Sequence, residues 1–168
     1  MQDSFAKAMD NVAVKITVSV EYALQALLEV AGGSQGETAL SANEISSNQE
    51  IPGKFLEAIL RKLTRAGLLV SSRGPHGGYR LARPAEEITV AEVIRVIEGP
   101  LAAVGDRAPE ATKYRRSAKN LTKVWIATRV ALRDSLENMT IADILEGDFP
   151  SEIKQALRRK DAWTRRGK

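Results

Sequence analysis

One histidine, His76, and no cysteine stand among 168 residues, and that inventory decides much of the chemistry open to the chain. Disulfides, thiolate zinc sites, cysteine nucleophiles and cysteine-held iron–sulfur clusters are excluded for want of sulfur. A single imidazole offers no histidine cluster for a metal and no Ser-His-Asp arrangement. The carboxylates are scattered over expected helix faces, and no pair converges on an apolar pocket, so an enzyme is not expected. The residues that do group by type and spacing are basic. Lys54, Arg61 and Arg65 recur along one expected helix, and Arg73 and His76 sit at or beside a glycine-rich turn. Cations on a helix and on the hairpin after it suit a phosphate backbone and the base edges beside it.

The stretch from Ile51 to Arg83 must position these groups. Pro52 suits the first position of a helix running to Ala66, and Gly67 suits its end. At about 100° per residue, Leu56, Ile59, Leu60 and Leu63 fall on one side, with Lys54, Glu57, Ala58, Arg61 and Arg65 opposite. An ordinary solvated face is the competing reading for Arg61, Lys62 and Arg65. Residues 68–73 and 79–83 are β-prone, and the Gly-Pro-His-Gly-Gly run between them supplies a tight reversal. A basic hairpin tip in that position, with Arg73, Gly74 and His76 at or beside it, is the wing of a winged helix, directed at phosphates or a narrow minor groove. A plain surface hairpin is the alternative. The run lacks the Lys-Ser/Thr of a phosphate-binding P-loop, which removes a nucleotide site.

Upstream, residues 1–14 show no clear period and are set apart as a tail. Val20, Leu24, Leu27, Leu28 and Ala31 predict a helix from Thr17 that stops at Gly32-Gly33. Ser41 and Glu44 have the spacing of a capping box for a short helix through Asn48, anchored by Ile45. The helix-turn-helix then spans Ser41 to Ala66. Downstream, Thr89 and Glu92 repeat the capping spacing before Val90, Val93, Ile94 and Ile97, and Gly99-Pro100 closes that helix. Residues 101–112 read as a loop. A long helix is expected from about Lys113 to Asn138, with Leu121, Val124, Trp125, Thr128, Leu132 and Leu136 at three- and four-residue steps. A domain this small cannot bury such a stripe fully, so pairing with a second copy is expected. Packing against the first helix of its own domain is the alternative, and the two are compatible along different parts.

Thr140 to Glu146 reads as a short capped helix, and residues 148–168 as a basic tail of no fixed structure, the competing reading being a tail that adds non-specific phosphate affinity. The division is thus 1–14 tail, 15–100 winged helix-turn-helix, 101–112 loop, 113–147 dimerisation helix with a short following helix, and 148–168 tail. The fold class is mainly α with a small β-hairpin wing. The formal charge of +4 permits a polyanionic partner without proving one. No apolar run approaches the ~20 residues of a membrane span, and the first residues lack the apolar core of a secretory signal. A cytoplasmic protein with no membrane partner and no cofactor is expected.

The same residues carry a resemblance. Ile16 with Tyr22-Ala23-Leu24, Ile51-Pro52 with Phe55-Leu56-Glu57, Ala66-Gly67-Leu68 and Ile88-Thr89-Val90 through Glu98-Gly99-Pro100 resemble the Rrf2 family of bacterial transcription regulators. Arg73-Gly74-Pro75 with Gly77-Gly78-Tyr79 is the most specific part, and the likeness runs from about Val14 to Gly147. It implies a homodimeric winged helix-turn-helix with the long helix as dimer arm, and the expected function is a repressor on a palindromic double-stranded DNA operator. The likeness implies DNA contacts from Pro52, Lys54, Phe55, Glu57 and Ala58 and from wing residues Arg73 and Gly74. Arg61 and His76 join that set from the face and tip placements. Many members sense through three cysteines between the Gly-Pro and the Trp, where this chain has Arg107, Lys113, Arg115, Arg116 and Lys119. The segment resembles the cluster-free subclass that includes the repressor of cysteine metabolism, which implies a protein co-regulator such as cysteine synthase. Helix one has Ser19 and Glu21 where some members carry basic residues. The rival reading is a winged-helix interaction module whose DNA binding is incidental.

Overall fold

Helix α1 (Val18–Gly32) is the post against which the other elements pack. The computed structural model describes residues 16–33, 38–74, 77–105 and 107–164. Thr17 starts α1 with its hydroxyl accepting the Val20 amide at 3.3 Å. Ala23 and Ala26, both fully buried with Leu27 and Val30, let neighbouring helices approach the α1 backbone closely. Contacts from α1 reach the helices that begin at Ala42, Gly53, Val90 and Ile141 and the strand that begins at Gly78.

Helix α2 (Ala42–Gln49) begins with the full capping box. Glu44 N–H donates to the Ser41 hydroxyl at 3.2 Å, and Ser41 N–H donates to the Glu44 carboxylate at 2.8 Å. The Ser41 hydroxyl and then its amide hold the Glu44 carboxyl below its usual range. Glu50, at φ 53, makes the left-handed turn, and Ile51 is buried with its amide donating to the Ser46 carbonyl. Helix α3 (Gly53–Arg65) follows. Pro52 is its cap rather than its first helical residue, one position off the expectation. At the far end, Leu68 N–H donates to Leu63 O at 2.9 Å and Gly67 N–H to Thr64 O at 3.1 Å, with Gly67 at φ 72. That is a Schellman ending, and its apolar contact is the buried pair Leu63 and Leu68.

Strands β1 (Leu69–Ser72) and β2 (Gly78–Leu81) pair antiparallel, with Leu69 opposite Leu81 and Ser72 opposite Gly78. A third short contact widens the hairpin: Leu40 and Tyr79 exchange backbone hydrogen bonds of 3.1 and 2.8 Å. This assembly is a winged helix. Helix α4 (Val90–Glu98) then crosses α1 and α3. Only half of its expected capping box forms. The Thr89 hydroxyl accepts the Glu92 amide, but the Glu92 carboxylate pairs with Arg83 at 2.5 Å.

Beyond α4 the chain departs from expectation. Helix α5 spans Leu121–Leu136, not 113–138. Residues 113–120 lack an apolar stripe, Arg116 has a left-handed φ of 52, and only a 3-10 turn, Arg116–Ala118, forms there before α5. The stretch expected as a plain loop is anchored. Leu101, Pro109 and Thr112 are buried, and Pro109–Ala111 forms a 3-10 turn. Helix α6 (Ile141–Glu146) has the Thr140–Asp143 capping box. The expected tail contains a further helix, α7 (Ser151–Leu157), capped by Pro150. Among the described residues no helix is long and apolar enough to cross a membrane.

Candidate nucleic-acid interface

The strong two-sidedness of α3 sorts its residues. Leu56, Ile59, Leu60 and Leu63 enter the core, and Pro52, Lys54, Glu57, Ala58, Arg61 and Arg65 are exposed. Phe55, at the edge of the two faces by angle alone, is 62 % exposed and so belongs to the outer surface. A large aromatic left in solvent at a helix start is unusual unless something covers it. The first turn carries no acidic side chain, and its leading N–H groups have no intrahelical acceptor. The positive end of the helix dipole and Lys54 therefore coincide, an arrangement that attracts phosphate.

Lys62 separates from Arg61 and Arg65. Its Nζ donates to the Ile97 carbonyl at 3.0 Å, which ties α3 to the end of α4 and takes this cation out of the outer face. Arg61 and Arg65, with Glu57, line a cleft of about 490 Å³ whose other wall is Ser71 and Tyr79 of the hairpin, with Ala42 of α2 at its edge. Helix face and wing thus form one concave surface. Ser71, Tyr79 and Ala42 are not among the expected contact residues, although Tyr79 carries part of the resemblance; strand alternation from Leu69 places Ser71 on the helix side and is the available signal.

At the wing, Arg73 is exposed and Gly74 has a φ of 110. Gly77 N–H closes the reversal onto Gly74 O at 2.9 Å. His76 lies outside the described residues. Arg80, opposite Val70, adds an exposed cation on the outer face of β2 that the sequence reading did not select.

The second predicted set lies on α5. None of its side chains is fully buried. Val124 is 51 % exposed, and Leu121, Trp125, Thr128, Leu132 and Leu136 are half-buried. Trp125 Nε1 donates to the Tyr114 hydroxyl at 3.1 Å, and the Thr128 hydroxyl returns to the Val124 carbonyl of its own helix. Leu132 and Leu136 face an apolar hollow of about 410 Å³ shared with Ile16, Val20, Leu24 and Ile94. The helix therefore leans on its own domain at its second half and presents unburied apolar surface elsewhere.

The segment before α5 is held by side-chain bonds. Arg129 pairs with Glu110 at 2.7 Å, and Thr122 donates to the Thr112 carbonyl at 3.2 Å. Its cations Arg107, Lys113, Arg115, Arg116 and Lys119 are exposed. Among the described residues no three His, Asp or Glu side chains gather as metal ligands, and the sequence has no Cys. The donor set does not fit a thiolate-held iron–sulfur group.

The model of the Rrf2 family, described as iron-dependent transcriptional regulators, matches residues 16–147. Rv1287 of Mycobacterium tuberculosis, a candidate HTH-type transcriptional regulator, is 38 % identical over 142 residues, covering 84 % of this chain and 88 % of that one. The structure of CymR, the global cysteine regulator of Bacillus subtilis, aligns at a TM-score of 0.67 and 31 % identity, over 80 % of this chain and 98 % of that one. The IscR structure from T. potens aligns at 0.65 and 28 %, over 92 % and 95 %. These relatives are transcription regulators rather than enzymes. This cysteine-free chain belongs to the Rrf2 family of DNA-binding transcription regulators.

Proposed function

We propose that the protein is a repressor that binds a palindromic operator as a homodimer, with no iron–sulfur cluster in its control. The observation that carries this reading is the shared concave surface of α3 and the wing, together with an α5 that buries none of its side chains in a single chain. Pro52, Lys54, Phe55, Glu57, Ala58 and Arg61 enter the major groove. Glu57 accepts from a cytosine amino group, and Lys54 meets guanine or phosphate. Arg73, Gly74 and His76 follow the backbone from the wing. Leu121, Val124, Trp125, Thr128, Leu132 and Leu136 build the dimer seam, and occupation of the promoter produces repression. With no thiol to sense iron, release falls to a small ligand or a protein co-regulator. Cysteine synthase is the candidate that the resemblance supplies.

Two substitutions divide these roles. Arg73→Ala weakens binding to every duplex and lowers the salt slope by ~1, because one phosphate contact is lost. Glu57→Ala leaves overall affinity nearly intact and relaxes the preference at one base pair by ~1–3 kcal/mol. Gel retardation across a salt series, on duplexes selected by the protein from a randomised library, reads both. Wild-type behaviour of Arg73→Ala would remove the wing assignment. An absence of any sequence-selective retardation at moderate salt would favour a protein-docking module instead.

A further inference from the structure

Three arginines from two helices converge on one small hollow. Arg95 of α4 and Arg129 and Arg133 of α5 line it, Gly99, Pro100 and Leu101 complete the wall, and its volume is about 250 Å³. Arg129 and Arg133 stand four residues apart on one helix face, where like charges repel, and Arg95 brings a third cation beside them. Two carboxylates offset the cluster. Arg129 Nη1 pairs with Glu110 at 2.7 Å, Arg95 pairs with Glu137, and Arg133 Nε lies 4.0 Å from Glu137. Three guanidiniums against two carboxylates leave one positive charge.

The three are not held alike. The Arg129 side chain is 17 % exposed, and its Nε is buried with no acceptor among the described residues. A buried guanidinium N–H that donates to nothing is a donor short of a partner. Arg95 and Arg133 are exposed and share the exposed Glu137. Exposed ion pairs contribute little, so an oxyanion that takes two parallel N–H bonds from a guanidinium readily displaces Glu137. The three cations then face Glu110 alone, and a dianion makes the site neutral. Glu110 stays ionised: its own backbone amide and then Arg129 hold its carboxyl below the usual range, and Arg133 adds a longer-range pull. Pro100 and the buried Leu101 give the hollow an apolar wall, which suits a short carbon chain between charged ends. Its volume is below that of pockets for drug-sized ligands. At about 100° per residue, Arg129 and Arg133 lie about a quarter turn from the line of Leu121, Thr128, Leu132 and Leu136, so pairing along that line leaves the hollow to one side.

We propose that Arg95, Arg129 and Arg133 bind a small organic dianion of the short dicarboxylate class, and that its binding releases Glu137 from Arg95. The binding stands apart from the DNA-binding reading above, and its consequence rests on that reading. Glu137 caps the end of α5, and Arg95 belongs to α4 of the winged domain. The exchange therefore loosens the arm from the reading surface and weakens the hold on a palindromic duplex, which needs two reading surfaces kept in register.

Isothermal titration calorimetry of the full chain with succinate, and separately with sulfate, at an ionic strength kept constant with sodium chloride, reads the site. Succinate is expected to bind saturably, and about tenfold more weakly to Arg133→Gln. That variant should melt as the unsubstituted chain does, because the Arg133 guanidinium makes only the 4.0 Å contact to Glu137. Absence of saturable succinate binding, or equal affinity in the variant, would overturn the proposal. Sulfate bound as tightly as succinate would remove the organic assignment. Gel retardation of a library-selected duplex reads the consequence: succinate should weaken binding about threefold against chloride of equal ionic strength, in the unsubstituted chain and not in Arg133→Gln. Unchanged retardation with succinate bound would sink the release of Glu137. Failure of the DNA-binding reading looks different: succinate still binds, and the unsubstituted chain shows no preference between the selected duplex and an unrelated one.

Discussion

Gly78 is bare because there is no room for anything else. A Cβ there would stand 2.5 Å from the Leu40 carbonyl oxygen, and that oxygen already accepts the Tyr79 amide at 2.8 Å. Neither backbone can retreat without opening the strand contact that fixes the hairpin. Gly78→Ala should cost ~1–3 kcal/mol and weaken DNA binding by displacing the wing. Gly53, with nothing within 4 Å of an added Cβ, is the control. Gly53→Ala should be neutral or gain up to ~1 kcal/mol, and denaturant unfolding of the two variants reads the contrast. The sequence marked the glycine-rich turn through its composition, and Gly77 meets the nearby Ser72 carbonyl, but the demand on Gly78 comes from Leu40, 38 positions away. The separation of Lys62 from Arg61 was hidden in the same way. Adjacent cations look alike until the Ile97 carbonyl is placed beside one of them.

At the scale of elements, legibility followed local causes. Helix α2 was readable because Ser41 and Glu44 satisfy each other within one turn, and α3 because its apolar period and Gly67 agree. Helix α5 was read too long. Its expected first turns fall on charge-rich residues 113–120, which are tied to α5 by Tyr114 on Trp125 and, just before them, by Thr112 on Thr122. The helix in residues 151–157 was missed because Ile153 and Leu157 are too few to show a period. Val124, half exposed on α5 in the single chain, separates folding from assembly. Val124→Asp should leave the melting curve of the monomer nearly unchanged, shift sedimentation toward one chain, and lower affinity for a palindromic duplex at least tenfold. A dimer that survives this charge would place the seam elsewhere.

For the molecule as a whole, charge bookkeeping was fully legible, whereas the relation between the arm and the reading head was not. That relation is set where α4, α5 and α6 meet. Val90 N–H donates to Met139 O at 2.8 Å, Ile141 N–H donates to Ile88 O at 2.9 Å, and Arg95 pairs with Glu137 just past the end of α5. The last turn of the arm is thereby fastened to the reading domain, and the proposed dimer seam lies on the arm. Such a joint acts like the pivot of a pair of calipers. Loosening it changes the gap the two tips will accept and leaves what each tip recognises untouched. Arg95→Ala should therefore select operators of the same half-site sequence with a wider range of spacings between the halves, as sequencing of the selected duplexes would reveal. Selection of a single unchanged spacing would show that the pivot is held by the backbone pairs alone.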